Sequence, residues 1–165
     1  MALTILLTLL FCLLVTGAMA VFLLMIPKFG ATKFGAPKEV QKMVAEMPDA
    51  PKWKTALGMG LFMLIVPCVL GLFVWGGWDA VHTDMTFWQA FLRFLIMLEG
   101  YKLYDIVVFD WLLMNKTHIV EKLYPNLKGA QGFAYFGFNK KSQTRDILIF
   151  PLIAAAQAAV CVYVF

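Results

Sequence analysis

The sequence predicts an all-α integral membrane protein: a four-helix bundle, N-out/C-out, with a short cytoplasmic amphipathic helix at about 38–47. Three observations predict it. Of 165 residues, 62% are hydrophobic and only 15% are charged, whereas a soluble domain is nearer half apolar and about a quarter charged. Mean hydropathy is +0.79. Apolar runs at 2–26, 55–78, 87–114 and 147–165 come close to or exceed the roughly 20 residues that cross a hydrocarbon core. The short alternating segments of a membrane barrel are not visible. The chain reads as a single membrane domain, with loops at 27–54 and 115–146.

Charge sets the orientation. The net charge is +4, and it is concentrated in the two long loops. Segment 27–54 carries six lysines against Glu39, Glu46 and Asp49, and segment 115–146 carries five lysines and Arg145 against Glu121 and Asp146. The connection 79–86 carries only Asp79 and Asp84. Lys and Arg are retained on the cytoplasmic side, so both long loops are expected inside, helped by anionic lipid headgroups. No nucleic-acid motif accompanies the basic excess, and no nucleic-acid partner is expected.

The first helix, 2–26, is nearly uniform Leu, Thr and Phe, with Thr16-Gly17-Ala18 as a patch for close packing. Ala18-Met19-Ala20 resembles a cleavage site, but no basic n-region precedes it. The segment is read as a retained span, ended by Pro27, and Lys28–Pro37 is read as loop. Residues 38–47 place Val40, Met43, Val44 and Met47 at i, i+3, i+4 and i+7 between Pro37 and Pro48. That is an amphipathic helix, lying on the bilayer surface or docked on the bundle end. The second helix, 55–78, carries Pro67 at mid-span, which removes a backbone hydrogen bond and is expected to kink it. Trp75, Trp78 and Trp88 form an expected interfacial belt.

The third helix opens with Thr86-Phe-Trp-Gln89, a capping box. The loop after it is aromatic: Tyr124, Phe133, Tyr135, Phe136 and Phe138 interleave with Gly129, Gly132 and Gly137. The fourth helix has Pro151 and one mid-span polar residue, Gln157.

Five ionisable residues lie in the third helix: Arg93, Glu99, Lys102, Asp105 and Asp110. Each costs at least about 2.5–3.5 kcal/mol at a helix centre, so such residues normally face the interior, pair and mark function. Glu99, Lys102 and Asp105 step by three residues and span about 120° of arc. Pairs at that spacing touch, which makes Glu99–Lys102–Asp105 a candidate buried triad with one surplus negative charge. Gln157 is expected to hydrogen-bond it from the fourth helix, and Tyr101 and Tyr104 either add hydroxyls or merely pack. Arg93 is expected to snorkel outward. On a straight α-helix Asp105 and Asp110 point about 140° apart, too far to serve as a pair.

A second polar cluster lies past the third helix: Asn115, Lys116, Thr117, His118, Glu121, Lys122 and Tyr124. His118 and Glu121 at i, i+3 make a two-ligand set with no visible third, and no metal is expected. Cys12, Cys68 and Cys161 lie inside helices with no close spacing, which excludes a CxxC redox centre and a Cys/His zinc site. No P-loop, G-x-S-x-G or HExxH motif occurs, neither His is mid-span, and no cofactor is expected. A glutathione-type membrane enzyme would show Arg, Glu and Asn in its second helix. A small multidrug exporter would carry its carboxylate in the first, which has no charge.

At Asp105-Ile-Val-Val-Phe-Asp110-Trp111 the chain resembles a loose group of uncharacterised small bacterial four-span membrane proteins. They carry Asp-x4-Asp-Trp near the cytoplasmic end of the third helix. Many of them continue into a Pro-Gly-Thr-Glu turn, where this chain has Tyr124-Pro125-Asn126-Leu127. The resemblance implies a bacterial cytoplasmic (inner) membrane and no particular activity.

Three functions stay open on the sequence. The leading expectation is binding or translocation of a small cationic or amphipathic ligand at Glu99, Lys102 and Asp105, with Gln157 and Tyr101 nearby. The enzyme alternative puts chemistry on a lipid-like substrate at Asp110, His118, Glu121 and Tyr124. The third is an accessory subunit or homo-oligomer whose polar residues pair with another membrane chain.

Overall fold

The computed structural model describes residues 1–33, 36–130 and 139–164. Among them there is no strand. Seven α-helices occur: α1 (Ala2–Leu24), α2 (Pro27–Lys33), α3 (Lys38–Glu46), α4 (Lys52–His82), α5 (Phe87–Tyr104), α6 (Ile119–Leu123) and α7 (Lys140–Tyr163). A π-helix, Asp105–Lys116, follows α5 directly, and a 3-10 turn covers Pro125–Leu127. Three helices, α1, α4 and α7, are long and apolar enough to cross a membrane. The glycines and aromatics of 131–138 singled out in the sequence lie outside the described residues.

The chain divides into two compact units. The first comprises Met1–Val15, Val66–Tyr104 and Lys141–Phe165. Its core joins Leu7 and Phe11 of α1, Leu72 of α4, Phe94, Met97 and Leu98 of α5, and Ala154 of α7. The spacings i, i+4 in α1 and i, i+3, i+4 in α5 put these residues on one face of each helix. Small residues let the backbones approach. A Cβ at Gly76 would stand 3.3 Å from Leu7, one at Gly77 3.2 Å from Cys161 Sγ, and Ala80, Ala90 and Ala158 cluster together. The turn into α5 is the expected capping box: the Thr86 N–H donates to Gln89 Oε1 at 2.9 Å, and the Gln89 N–H to Thr86 Oγ1 at 3.4 Å.

The second unit comprises Thr16–Ile65 and Asp105–Lys140. Phe22, Phe29 and Phe62 form a ring trio with centroids 5.1–6.1 Å apart. Two sequence readings change here. Pro27 does not merely end α1; it opens α2 at the first helical position, where its missing N–H is no loss. Gly30, read as loop, sits in that helix because a Cβ there would fall 2.7 Å from Phe22 Cβ.

Pro27 has a further effect. In a continuing α-helix its N–H would have bonded the Leu23 carbonyl. The Tyr124 hydroxyl donates to that carbonyl instead, supplying the bond the proline cannot make. The apolar face of α3 is docked within this unit: Val40 and Val44 bury against Val120, Leu127 and Ala130, with Met43 and Met47 packed alongside.

Helix ends also move. α4 begins at Lys52 and runs without a break through Pro67 to His82, and α7 begins at Lys140. Asp79 and Asp146, assigned to connections from hydropathy, are therefore helical residues. An apolar run ends where water begins, whereas a helix continues as long as its backbone bonds are made.

Candidate functional site

The polar groups of the first unit are organised from α5. Arg93 does not snorkel outward. It is 3% exposed and its Nη1 lies 2.7 Å from Asp79 Oδ2 on α4. The same Nη1 donates to the Gly76 carbonyl at 2.8 Å. Gly76 and Asp79 are three residues apart, so one α4 turn supplies both a carboxylate and a carbonyl.

Lys102, about two and a half turns further along α5, is also interior. Its Nζ lies 3.1 Å from Asp146 Oδ2 on α7. The other carboxylate oxygen of Asp146 accepts from Arg145 Nε at 3.1 Å and Nη2 at 2.9 Å. Each α5 cation therefore has an acid from a neighbouring helix, at a depth set by the packing of that helix. Buried charge is tolerable only when paired in this way.

Glu99 is placed differently. Its Oε1 is buried with no hydrogen-bond donor, while Lys102, the partner expected from spacing, reaches across to Asp146. Lys102 nevertheless acts electrostatically on Glu99 as well, so the lysine is shared between two acids and what Glu99 lacks is a hydrogen-bond donor to Oε1. Gln157 does not fill the gap, and its own Oε1 is also buried without a donor. The register explains this. Lys102 meets Asp146, and Ala90 clusters with Ala158, so α7 runs antiparallel to α5. Gln157 then stands near the Arg93 level, roughly 10 Å along the axis from Glu99. Arg93 Nε, a buried donor, likewise lacks an acceptor. Tyr101 sets its ring against Phe11, 4.6 Å between centroids and tilted by 35°, and packs against the core.

Asp105 and Asp110 fall in the second unit, in the π-helix. That geometry changes the relation expected of them. Bonds from residue i to i+5 stack residues five apart much as an α-helix stacks residues four apart. Asp105, Asp110 and Asn115 therefore share a face. Thr117 N–H to Leu112 O at 2.9 Å continues the five-residue step, and Asp110 is buried. Of the enzyme candidates, His118 is exposed, left-handed at φ 51°, and 3.7 Å from Glu121. The Tyr124 hydroxyl is held by Leu23, and burial pushes this phenol above its ordinary value. Among the described residues, no group of three His, Cys, Asp or Glu side chains is placed to hold a metal ion.

Comparison of the chain with protein-family models, with curated proteins and with solved structures finds no match. The functional reading therefore rests on the site alone.

Sequence reasoning identified Arg93, Glu99 and Lys102 as the residues to explain. It missed Asp79 and Asp146. The available signal was that each buried cation needs an acid at its own level, and both acids stand within a few residues of an apolar run.

Proposed function

We propose that this protein binds or translocates a small cationic or amphipathic ligand at an intramembrane acidic site centred on Glu99. The observation that carries the reading is the Glu99 carboxylate, with Oε1 buried and without a donor, whose cation Lys102 is shared with Asp146. A surplus carboxylate in an apolar medium takes up a proton or a cation. The neighbouring pairs serve as scaffold: Arg93–Asp79 fastens α5 to α4, and Lys102–Asp146 fastens it to α7.

The proposal includes a four-span bundle in which α5 and the π-helix form the third crossing, with both termini outside. The basic excess in 27–54 and 115–146 supports that orientation. The neutralised charges of α5 support its insertion. A bacterial inner membrane is proposed from the Asp-x4-Asp-Trp resemblance, with anionic headgroups around the lysines.

Native mass spectrometry of the gently solubilised protein tests this. Wild type should carry an adduct of defined mass that Glu99→Gln loses while the fold is retained. An adduct equally present in Glu99→Gln overturns the proposal. A stoichiometric protein partner lost with Glu99→Gln would support the second reading, an accessory subunit, which the same surplus charge favours.

A further inference from the structure

The position of Glu99 on its helix says which kind of cation it takes. At about 100° per residue, the buried residues of α5 occupy a broad arc. Arg93 and Lys102 stand at its two edges, with Ala90, Phe94, Met97 and Leu98 between them. Glu99 lies outside that arc. Trp88, Leu92 and Leu103 all fall within about 40° of it on the wheel, and they are 68%, 50% and 64% exposed. Glu99 thus sits in the middle of the outward stripe of α5, flanked above and below by exposed apolar side chains, and its buried oxygen has no donor.

A carboxylate on an outward apolar stripe is poorly placed for a hydrophilic ion, which would have to leave water and meet one charge with an apolar surround. It suits a ligand that brings both parts. We infer that the ligand is a lipophilic cation that reaches Glu99 sideways from the bilayer, its charged head on the carboxylate and its apolar body along Leu92, Leu103 and Trp88. This rests on the proposed cation site and adds its substrate class and route of access. The charge that acts on Glu99 is Lys102 of its own helix, which it shares with Asp146, and the acids of the helices packed against α5 in this unit are themselves held by cations. α1 has no charged residue, Asp79 of α4 is held by Arg93, and Asp146 of α7 by Lys102 and Arg145. Small alcohols or neutral lipids would satisfy the apolar stripe but leave the charge unmatched.

The test is equilibrium binding of an alkyltrimethylammonium series to the full chain in phosphatidylcholine nanodiscs, with Glu99→Gln nanodiscs subtracted at every point. Tetramethyl-, hexyltrimethyl- and decyltrimethylammonium are the probes. A buried methylene contributes up to about fourfold in affinity, so Glu99-dependent affinity should climb by at least an order of magnitude from the first probe to the last. Leu92→Ser with Leu103→Ser should flatten that climb while leaving the Glu99-dependent signal present. If Glu99→Gln does not fold, Glu99→Met, which also removes the carboxylate, takes its place as the subtracted variant. Glu99-dependent binding that is equal across the series would overturn lateral access and leave the cation site standing. No Glu99-dependent binding of any probe, or a protein oligomer that disappears with the substitution, would overturn both.

Discussion

The two compact units treat charge in opposite ways. In the first, Arg93 and Lys102 are almost wholly buried, and each reaches an acid on another helix at 2.7 or 3.1 Å. In the second, Lys28–Asp49 is also 2.7 Å, yet its side chains are 37% and 87% exposed. Equal distances conceal unequal consequences. A pair at the rim competes with water on both sides and contributes little, whereas a pair between apolar helices cannot lose one member without stranding the other. Geometry alone does not rank ionic contacts; the medium does.

The sharpest way to break this comparison is to remove one acid. Asp79→Asn leaves the Arg93 guanidinium buried beside a neutral group and is expected to cost about 3–5 kcal/mol, read as loss of thermal stability in detergent. Replacing both partners, Arg93→Leu with Asp79→Leu, should recover most of it. If Asp79→Asn alone is neutral, the buried pair is no different from the rim pair.

Next in size is Gly58→Ala in the second unit. Its Cβ would meet Met25 Cβ at 2.8 Å and Ile26 Cγ2 at 3.1 Å, stiff atoms that move only with their backbone. Overpacking of this kind costs about 1–3 kcal/mol, and the same assay should show it. A stability unchanged from wild type would mean that α4 and the Met25–Ile26 link between α1 and α2 part easily there.

Tyr124→Phe removes a single bond to the Leu23 carbonyl and should cost about 1 kcal/mol. Burial raises the folded-state value of this phenol. Its contribution is therefore complete below the ordinary phenol value of about 10 and is lost as pH rises through the higher folded value. Alkaline titration of stability should bend there in wild type and not in Tyr124→Phe.

The smallest effect belongs to the rim. Lys28 hydrogen-bonds Asp49 and holds its carboxyl below the usual range, so whatever the pair adds is present above that range and fades as pH falls through it. Lys28→Met should leave the melting temperature unchanged near neutrality. A drop matching that of Asp79→Asn would erase the distinction between the units.

Much of this was legible in the sequence, for reasons that differ by element. α1 and the body of α4 announce themselves by uninterrupted hydropathy, α3 by its i, i+3, i+4, i+7 valines and methionines, and the start of α5 by Thr86 and Gln89. The acids that complete the candidate site were not, because hydropathy reports where side chains stop being apolar. Asp79 and Asp146 stand just beyond that point and still inside their helices. Gly30 reads as loop in the sequence, whereas it lies in α2 packed closely against Phe22. The π-register from Asp105 to Lys116 leaves no trace in composition, since its residues suit an α-helix equally well. The outward position of Glu99 follows from the wheel only once the buried residues of α5 are known.

Tyr124 and Leu23 are 101 residues apart in the chain, and that interval has a meaning in time. Ribosomes add roughly 5–20 residues per second, so the carbonyl at the end of α1 is made about 5–20 seconds before the hydroxyl that will satisfy it. During that interval no later helix can supply the missing proton. The Leu23 carbonyl is therefore left to other donors, water included, while α3, α4 and α5 are synthesised, and it gains this bond only once Tyr124 has been made. The knot of this molecule is tied late, by a residue outside every apolar span.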